Sequence, residues 1–242
     1  MNELEELLQL LKHATQFKKD KNLTSAIASL RSARIIALKE SSLQTKNIDL
    51  KLALYLQENG EAKEAEGILV QLYKKYISKS MELPEILDKI RIFYERNSEI
   101  EKSALFLTTE ALAFELNQYI QWLRYEISSF ENFNQVEEKY IKNNTKDHHF
   151  IGKLSKLEKK YKLNLNVQAL EEIFQINFKN FVNSIPMKIK EKSTSKYIFQ
   201  KAKENFGKES QDNSSSDFLD ELFSKMIQTT VENCESVLAS QR

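Results

Sequence analysis

Residues that interrupt helices are scarce in this chain, and their scarcity limits the folds that it can adopt. Only four glycines and two prolines, Pro84 and Pro186, occur among the 242 residues. Sheet proteins need a turn every few residues, and those turns are rich in Gly and Pro. The sequence therefore predicts an all-α fold, in which helices are joined by short polar turns.

Apolar residues recur at helical spacing and divide the first part of the chain into pairs of helices. In the first pair, Leu4, Leu7 and Leu11 form one stripe, and a second helix follows the polar residues around position 20. In the second pair, Gly60 is expected to adopt the left-handed conformation that ends a helix. In the third, Pro84 suits a first helical turn. The four predicted pairs cover 4–37, 46–76, 84–114 and 119–142.

Small and bulky residues recur at the same spacing in the first two pairs. Small residues let two helices cross closely, and bulky residues fill the space between neighbouring pairs. Later copies keep only the bulky positions, and the offsets between successive copies are about 39, 38 and 33 residues. The first two copies are Ala14, Phe17, Ala26, Leu30 and Ala33, then Ala53, Leu56, Ala65, Leu69 and Leu72.

This spacing resembles the tetratricopeptide repeat family over residues 4 to 143. The first pair matches all five spaced positions and the second pair matches four, although the offsets exceed the usual repeat length of about 34 residues. The resemblance implies a right-handed superhelix of antiparallel helical hairpins over 1–145, followed by a C-terminal helical bundle or cap. An ordinary irregular helical bundle is the alternative.

The rest of the chain shows no repeat. Helices are predicted at 149–162, 167–184, 193–206 and 216–240, with Ser193, Thr194 and Ser195 at a helix N-cap. The last helix is expected to cover the open apolar face of the final repeat. Alternatively, it offers that face to a partner or to a second copy of the chain. The predicted divisions are a basic helical segment at 146–206, a polar linker at 207–216 and a C-terminal amphipathic capping helix at 217–242.

Charge is unevenly distributed, although the whole chain carries a formal net charge of only +1. Residues 139–203 contain fifteen lysines, five acidic residues and no arginine, and an acidic tail follows them. A solvated lysine face complementary to this tail is the favoured interpretation. An acidic protein partner and a nucleic acid are the alternatives. The absence of arginine tells against nucleic acid, because arginine dominates the recognition of phosphates and bases.

Motifs for catalysis or for cofactor binding are absent from the sequence. It has no glycine-rich phosphate loop, no Cys-x-x-Cys, no His-Glu-x-x-His and no Gly-x-Ser-x-Gly. Adjacent His148 and His149 would point about 100° apart on a helix, which disfavours metal binding there. A lone Cys234 is expected to act as a small hydrophobic residue. We therefore predict no cofactor, no metal and no enzymatic activity; the enzyme alternative would centre on the two histidines.

Localisation is predicted from the start of the chain and from its longest apolar runs. Glu3, Glu5 and Glu6 make the N-terminus acidic, whereas a secretory signal begins with positive charge. No apolar run approaches the roughly 20 residues needed to span a bilayer. These features, together with a single cysteine, predict a cytoplasmic protein without membrane association.

The resemblance also implies a function, because tetratricopeptide proteins bind peptides or domains in a groove lined by the first helix of each hairpin. We predict a non-catalytic protein–protein interaction module. Its Lys, Asn and Ile bias, typical of AT-rich genomes, suggests a bacterial immunity or antitoxin-type protein that blocks a cognate toxin. A nucleic-acid-associated protein and a general adaptor or co-chaperone are the alternatives. The predicted groove residues are Thr15, Lys18, Lys19, Leu50, Leu54, Gln57, Glu58, Asp88, Ile92, Glu95, Gln121, Tyr125 and Ser128.

Overall fold

A computed structural model of the chain describes residues 3–39, 44–126, 131–144, 149–204 and 214–240. Most of these residues are helical and none of them lies in a strand, which confirms the predicted all-α class. The helices of this part are α1 (Glu3–Lys19), α2 (Leu23–Lys39), α3 (Thr45–Glu58), α4 (Ala62–Tyr76), α5 (Leu83–Arg96), α6 (Ile100–Gln121), a π-helical turn (Trp122–Glu126), α7 (Phe133–Asn144), α8 (His149–Tyr161), α9 (Val167–Ser184), α10 (Met187–Glu204) and α11 (Ser214–Ala239).

The first six helices pack as three consecutive hairpins. The helices of each pair, α1 with α2, α3 with α4 and α5 with α6, make extensive contact with each other. Neighbouring hairpins meet through α2 and α3, through α4 and α5, and through α3 and α5. The first three helix pairs predicted from the sequence are therefore present, and they lie next to one another in chain order.

The turns that close these hairpins share one backbone geometry. Each contains a residue with positive φ, namely Lys21 at 60°, Gly60 at 86° and Ser98 at 61°. In each turn, the next residue donates its backbone N–H to the carbonyl five positions earlier, over 2.8 to 2.9 Å. This bond satisfies a carbonyl that the helix end leaves unpaired. The turns are separated by 39 and 38 residues, the same offsets as the sequence copies, so one structural unit recurs three times.

The residues of the spaced pattern occupy the core between these hairpins. The small positions Ala14, Ala26, Ala33, Ala53 and Ala65 are all at most 1% exposed. Most of the bulky positions are buried beside them, whereas Phe17 is half-buried. The small residues of the pattern are therefore buried in both copies, and their role at helix crossings stays a prediction.

The predicted fourth pair differs from the structure. A separate helix was expected to begin at Tyr119, but α6 runs without interruption through this residue and continues into the π-helical turn. The four residues between Phe114 and Tyr119 include no Gly or Pro, and an apolar face continues through Leu116 and Ile120. The backbone therefore has no local reason to leave the helix. The second predicted helix of this pair corresponds to α7.

Two boundaries in the C-terminal part also need correction. Helix α10 begins six residues before the predicted start, because the carbonyl of Pro186 already accepts the backbone N–H groups of Ile189 and Lys190. Ser193 and Thr194 are buried inside this helix, so the predicted N-cap is wrong. Residues 214–216, assigned to the polar linker, form the first turn of α11. Residues 207–213 of that linker lie outside the described residues.

Two hydrophobic cores meet at α5. The first is built from α1 to α5, and the second contains side chains from α5, α6, α8, α9 and α11. Partly buried Tyr73 and Phe106 contact both cores. Helix α11 packs against α6 and α9 through buried Leu219, Phe223 and Ile227. The predicted division at residue 145 stays a prediction, since the change of core lies within α5.

Candidate partner-binding surface and cleft

Side-chain contacts join the first helices of the three hairpins on the predicted groove. The ammonium of Lys18 on α1 forms an ion pair with Glu58 on α3, and it lies 5.2 Å from the centroid of the Tyr55 ring. The Gln57 side chain on α3 donates hydrogen bonds to the Phe93 carbonyl at 2.7 Å and to the Asn97 side chain at 2.8 Å. Polar residues predicted to face a partner thus also fix α1, α3 and α5 relative to one another.

The remaining predicted residues of the first two hairpins differ in exposure. Thr15 and Lys19 are exposed, and the Thr15 hydroxyl donates to a backbone carbonyl of its own helix. Leu54 is half-buried and can contact a partner through its outer surface. Leu50 is only 4% exposed because it packs into the first core, so it is not part of the accessible surface.

An ionic network lies on α5, the first helix of the third hairpin. The Arg91 guanidinium lies 2.5 Å from a carboxylate oxygen of Asp88 and 3.4 Å from one of Glu95. Burial alone would raise the pKa of Asp88, but hydrogen bonds from Arg91 and Lys89 outweigh it and hold the pKa below its ordinary value. Glu95 also accepts a hydrogen bond from Lys160 on α8 at 2.9 Å. Helix α8 therefore reaches the surface formed by the first helices.

The predicted groove residues of the fourth helix pair do not continue the surface formed by α1, α3 and α5. Gln121 is half-buried at the end of α6, and Tyr125 is exposed in the π-helical turn, which packs against α10. Ser128 lies outside the described residues. Ile92, from the third set, is half-buried on α5 and remains accessible beside the ionic network. The accessible apolar residues of the predicted groove in α1 to α5 are therefore Leu54 and Ile92.

A cleft of about 290 Å³ lies between α6, α8 and α9. Two carboxyl groups from α6, Glu110 and Glu115, line it together with Lys153 and His149 from α8. Its apolar wall includes three phenylalanines, of which Phe114 is 49% exposed while the other two are buried. The cleft thus combines aromatic surface with charged groups of both signs.

The two carboxyl groups are poorly satisfied by their surroundings. Burial raises the pKa of Glu110, the nearby Asp88 carboxylate raises it further, and Lys153 and Arg91 partly oppose this shift. The nearest Arg91 nitrogen is 3.5 Å from the Glu110 carboxylate oxygen, and that oxygen accepts no hydrogen bond within the described structure. Burial also raises the pKa of Glu115, which has neither a hydrogen bond nor an ion pair with another described residue. The Glu110 oxygen is enclosed beside Arg91, whereas the half-buried Glu115 carboxyl lines the cleft without a partner among the described residues.

Reasoning from the sequence missed this cleft, although one signal was available. Helix α6 is apolar around most of its circumference, so Glu110 and Glu115 stand out within a stretch that must be largely buried. The histidine pair was instead considered for metal binding. His149 is exposed at the start of α8 and lines the cleft, whereas His148 lies outside the described residues. Within the described ranges, no group of three metal-ligating side chains comes together.

The aromatic residues of the basic segment are mostly internal. Phe150, Phe174, Phe178 and Phe181 are each at most 5% exposed and form part of the second core. They are therefore not available to stack on nucleic-acid bases. Lys190 is also buried, and its ammonium forms an ion pair with a Glu137 carboxylate at 2.7 Å. The lysine-rich segment is thus partly core, and not only a solvated face.

Buried Cys234 behaves as the sequence predicted. It is fully buried against the second core, and burial raises the pKa of its thiol to about 12. A thiol with such a pKa is protonated at neutral pH and is a poor nucleophile.

Within the described part of the chain, every helix is either too short or too polar to cross a bilayer. Comparisons with known proteins find no matching family model, no similar curated protein and no similar solved structure.

Proposed function

We propose that this chain is a non-catalytic protein–protein interaction module whose partner binds along α1, α3 and α5. The observation that carries the proposal is the threefold recurrence of one hairpin turn geometry, with α3 in contact with α5 and with α1 joined to α3 through Lys18 and Glu58. Stacked helical repeats commonly present such an extended surface for binding. The proposal includes a tetratricopeptide-like superhelix for this region and a capping role for α11.

The contacts along this surface favour binding because they hold it in one arrangement before a partner arrives. The Lys18 ion pair with Glu58 and the Gln57 hydrogen bonds fix three helices whose relative movement would otherwise be lost on binding. Such preorganisation lowers the entropic cost of association. Half-buried Leu54 and Ile92 lie among these polar groups, as apolar anchors surrounded by a polar rim.

The more specific form of the proposal is a cytoplasmic immunity or antitoxin-type protein whose partner is a cognate toxin domain. Its support is indirect, since it rests on a small helical binding module with the amino-acid bias of an AT-rich genome. It makes a simple prediction about genetics. The gene beside this one should encode a protein that is toxic when expressed alone and harmless when co-expressed with this chain.

The binding surface can be tested by affinity purification from the native host. Leu54→Arg and Ile92→Arg place a charge on the proposed surface and should each reduce the specific partner at least about tenfold, equivalent to about 1.4 kcal/mol. Ile35→Arg is the matched control, because Ile35 is 59% exposed on α2, a second helix of a hairpin. Circular dichroism should establish that all three variants are folded. If both folded surface variants retain every specific partner, the proposed surface is wrong.

A further inference from the structure

The first helices of the three hairpins carry a lysine at the same place in each copy. The hairpin turns are 39 and 38 residues apart, and the same offsets relate Lys12 on α1 to Lys51 on α3 and to Lys89 on α5. These three residues are called the lysine row; the first two are exposed and the third is half-buried. Three residues further along, on the same side of each helix, the equivalent positions are Thr15, Leu54 and Ile92.

Side-chain contacts show that neighbouring first helices are aligned at about these offsets. Lys46 on α3 forms an ion pair at 2.6 Å with Glu85 on α5, which is 39 positions later in the chain. Lys18 on α1 forms an ion pair with Glu58 on α3, which is 40 positions later. Equivalent residues therefore lie at about the same level along the three helices. The lysine row crosses α1, α3 and α5 beside the two apolar residues of the proposed surface.

The outward stripes that contain the lysine row have unpaired positive charges and no unpaired negative charge. Exposed or half-buried positions at helical spacing form one stripe on each helix, namely 8, 12, 15 and 19, then 47, 51, 54 and 58, then 85, 89, 92 and 96. Their two acidic residues, Glu58 and Glu85, are already paired with lysines of the protein. The bases that form no ion pair with another described residue are Lys12, Lys19, Lys51 and Arg96.

Acidic side chains next to the stripe of α5 are compensated within the protein. Asp88 lies 2.5 Å from Arg91 and 3.0 Å from Lys89. Glu95 lies 2.9 Å from the ammonium of Lys160. These two carboxylates are therefore poor contacts for a basic partner, although both were predicted as groove residues.

We propose that the partner contributes an acidic segment whose carboxylates lie against the lysine row and whose apolar side chains lie against Leu54 and Ile92. This inference rests on the proposed function, because it names the chemistry of the partner for the same surface. Complementary charge speeds association and selects against partners of like charge. The stripes contain no aromatic residue, whereas single-stranded nucleic acids are commonly held by stacking on aromatic side chains. An acidic protein segment thus fits the surface better than a nucleic acid does.

The probe is the peptide Ser-Glu-Leu-Glu-Ser-Glu-Leu-Glu-Ser-amide, labelled with an uncharged fluorophore and titrated with the full-length protein while its fluorescence anisotropy is followed. Lys12→Glu and Lys51→Glu should each weaken binding about threefold to tenfold, and the double variant more than about tenfold. Lys63→Glu is the matched control, because Lys63 is exposed on α4, a second helix of a hairpin. It changes the net charge equally and should alter binding less than about twofold.

Two altered peptides separate the charged contact from the apolar contact. A peptide with Gln in place of every Glu should bind at least about tenfold more weakly, because it has no carboxylate for the lysine row. A peptide with Ser in place of both Leu residues should bind at least about threefold more weakly, because it has no apolar side chain for Leu54 and Ile92.

Four results would overturn the inference. The first is no binding of the acidic peptide at up to about 0.5 mM protein. The second is equal weakening by Lys63→Glu and by Lys51→Glu, which would mean that only the overall charge matters. The third is equal binding of the peptides with and without leucine. The fourth is binding of single-stranded decathymidylate at least about tenfold tighter than the peptide, which would indicate a nucleic-acid surface.

Failure of this inference can be separated from failure of the proposed function. If Leu54→Arg loses the natural partner while the double variant of Lys12 and Lys51 keeps it fully, the surface is correct and the acidic-segment proposal is wrong. If the folded surface variants keep the partner, the proposed function is wrong, whatever the peptide does. Circular dichroism should first show that each lysine variant is folded, as expected for exposed side chains without an ion pair to lose.

Discussion

The hairpin region α1 to α5 and the C-terminal region α6 to α11 reach a buried core by different means. In the hairpin region, small residues such as Ala33 and Ala53 are fully buried in the first core. In the C-terminal region, large aromatic side chains such as Tyr119, Phe174 and Phe178 fill the core. In stacked repeats, many small side-chain contacts each contribute a little to stability. An aromatic core concentrates it in a few large side chains.

Polar contacts differ between the two regions as well. Between hairpins several of them lie near the surface, as in the pairs of Arg31 with Glu64 at 2.8 Å and of Lys46 with Glu85 at 2.6 Å. In the C-terminal region some of them are internal: the side-chain amide of Asn177 donates to the hydroxyl of Thr230 at 2.8 Å with both residues buried. Exposed ion pairs are typically worth less than about 1 kcal/mol, whereas buried groups depend strongly on both partners.

The largest effect is expected from Phe178→Ala. The Phe178 ring lies parallel to Phe174 with 6.4 Å between centroids and edge-on to Tyr119 at 6.2 Å. Its removal should lower the free energy of unfolding by about 3 to 5 kcal/mol. Urea denaturation followed by circular dichroism measures this change, with half-buried Phe17→Ala as the smaller control. Hydrogen exchange should lose protection mainly in α6, α9 and α11; equal loss in α1 and α2 would mean that the two regions unfold as one.

A loss of about 3 kcal/mol is expected from Lys190→Met. Glu137 accepts hydrogen bonds from both Lys190 and the Tyr119 hydroxyl, and burial together with Glu137 raises the pKa of Tyr119. Removing the ammonium leaves an internal carboxylate with one donor fewer. The double variant Lys190→Met with Glu137→Leu should recover much of the loss in thermal melting experiments. A double variant less stable than the single one would show that Glu137 stabilises the fold even without Lys190, contrary to this expectation.

A smaller loss, about 1 to 3 kcal/mol, is expected from Ala33→Leu in the hairpin region. Ala33 is fully buried in the first core, so extra methylenes must push the neighbouring helices apart. Ala28→Leu on the same helix is the matched control, because Ala28 is exposed and the same substitution places its side chain in solvent there. Thermal melting of both variants distinguishes them. If the Ala33→Leu and Ala28→Leu variants are equally stable, close packing does not explain the small residues of the repeated pattern.

Prediction from the sequence succeeded where the signals are local. The left-handed turn at Gly60 and the bounds of α9 follow from neighbouring residues alone, since Asn166 caps the helix through a bond to the Ala169 backbone N–H at 3.3 Å. The buried alanines follow from a spacing that repeats. Such features need no knowledge of the rest of the fold.

The failures involve residues that are far apart in the chain. Helix α6 contacts α5, α8, α9 and α11, so its apolar residues cannot be assigned to one face, and the periodic signal that marks a helix end is lost. Leu50 was placed on the accessible surface by register, but the packing of three hairpins encloses it. The cleft was missed for the same reason, because Glu110 and Lys153 come together only after α8 folds onto α6.

The smallest effect is expected from Glu115→Gln, and it concerns the dependence of stability on pH. Burial raises the pKa of Glu115, so the folded protein holds this proton more tightly than the unfolded chain does. The resulting stabilisation is fully present below the unfolded pKa and is lost as pH rises through the folded pKa. Relative to the wild type, Glu115→Gln should therefore gain stability between about pH 4 and pH 7.

Thermal melting of wild type and Glu115→Gln across this range measures the difference, and exposed Glu172→Gln should show no comparable trend. A relative loss of stability with rising pH would mean that the Glu115 carboxylate is stabilised in the fold, contrary to its raised pKa.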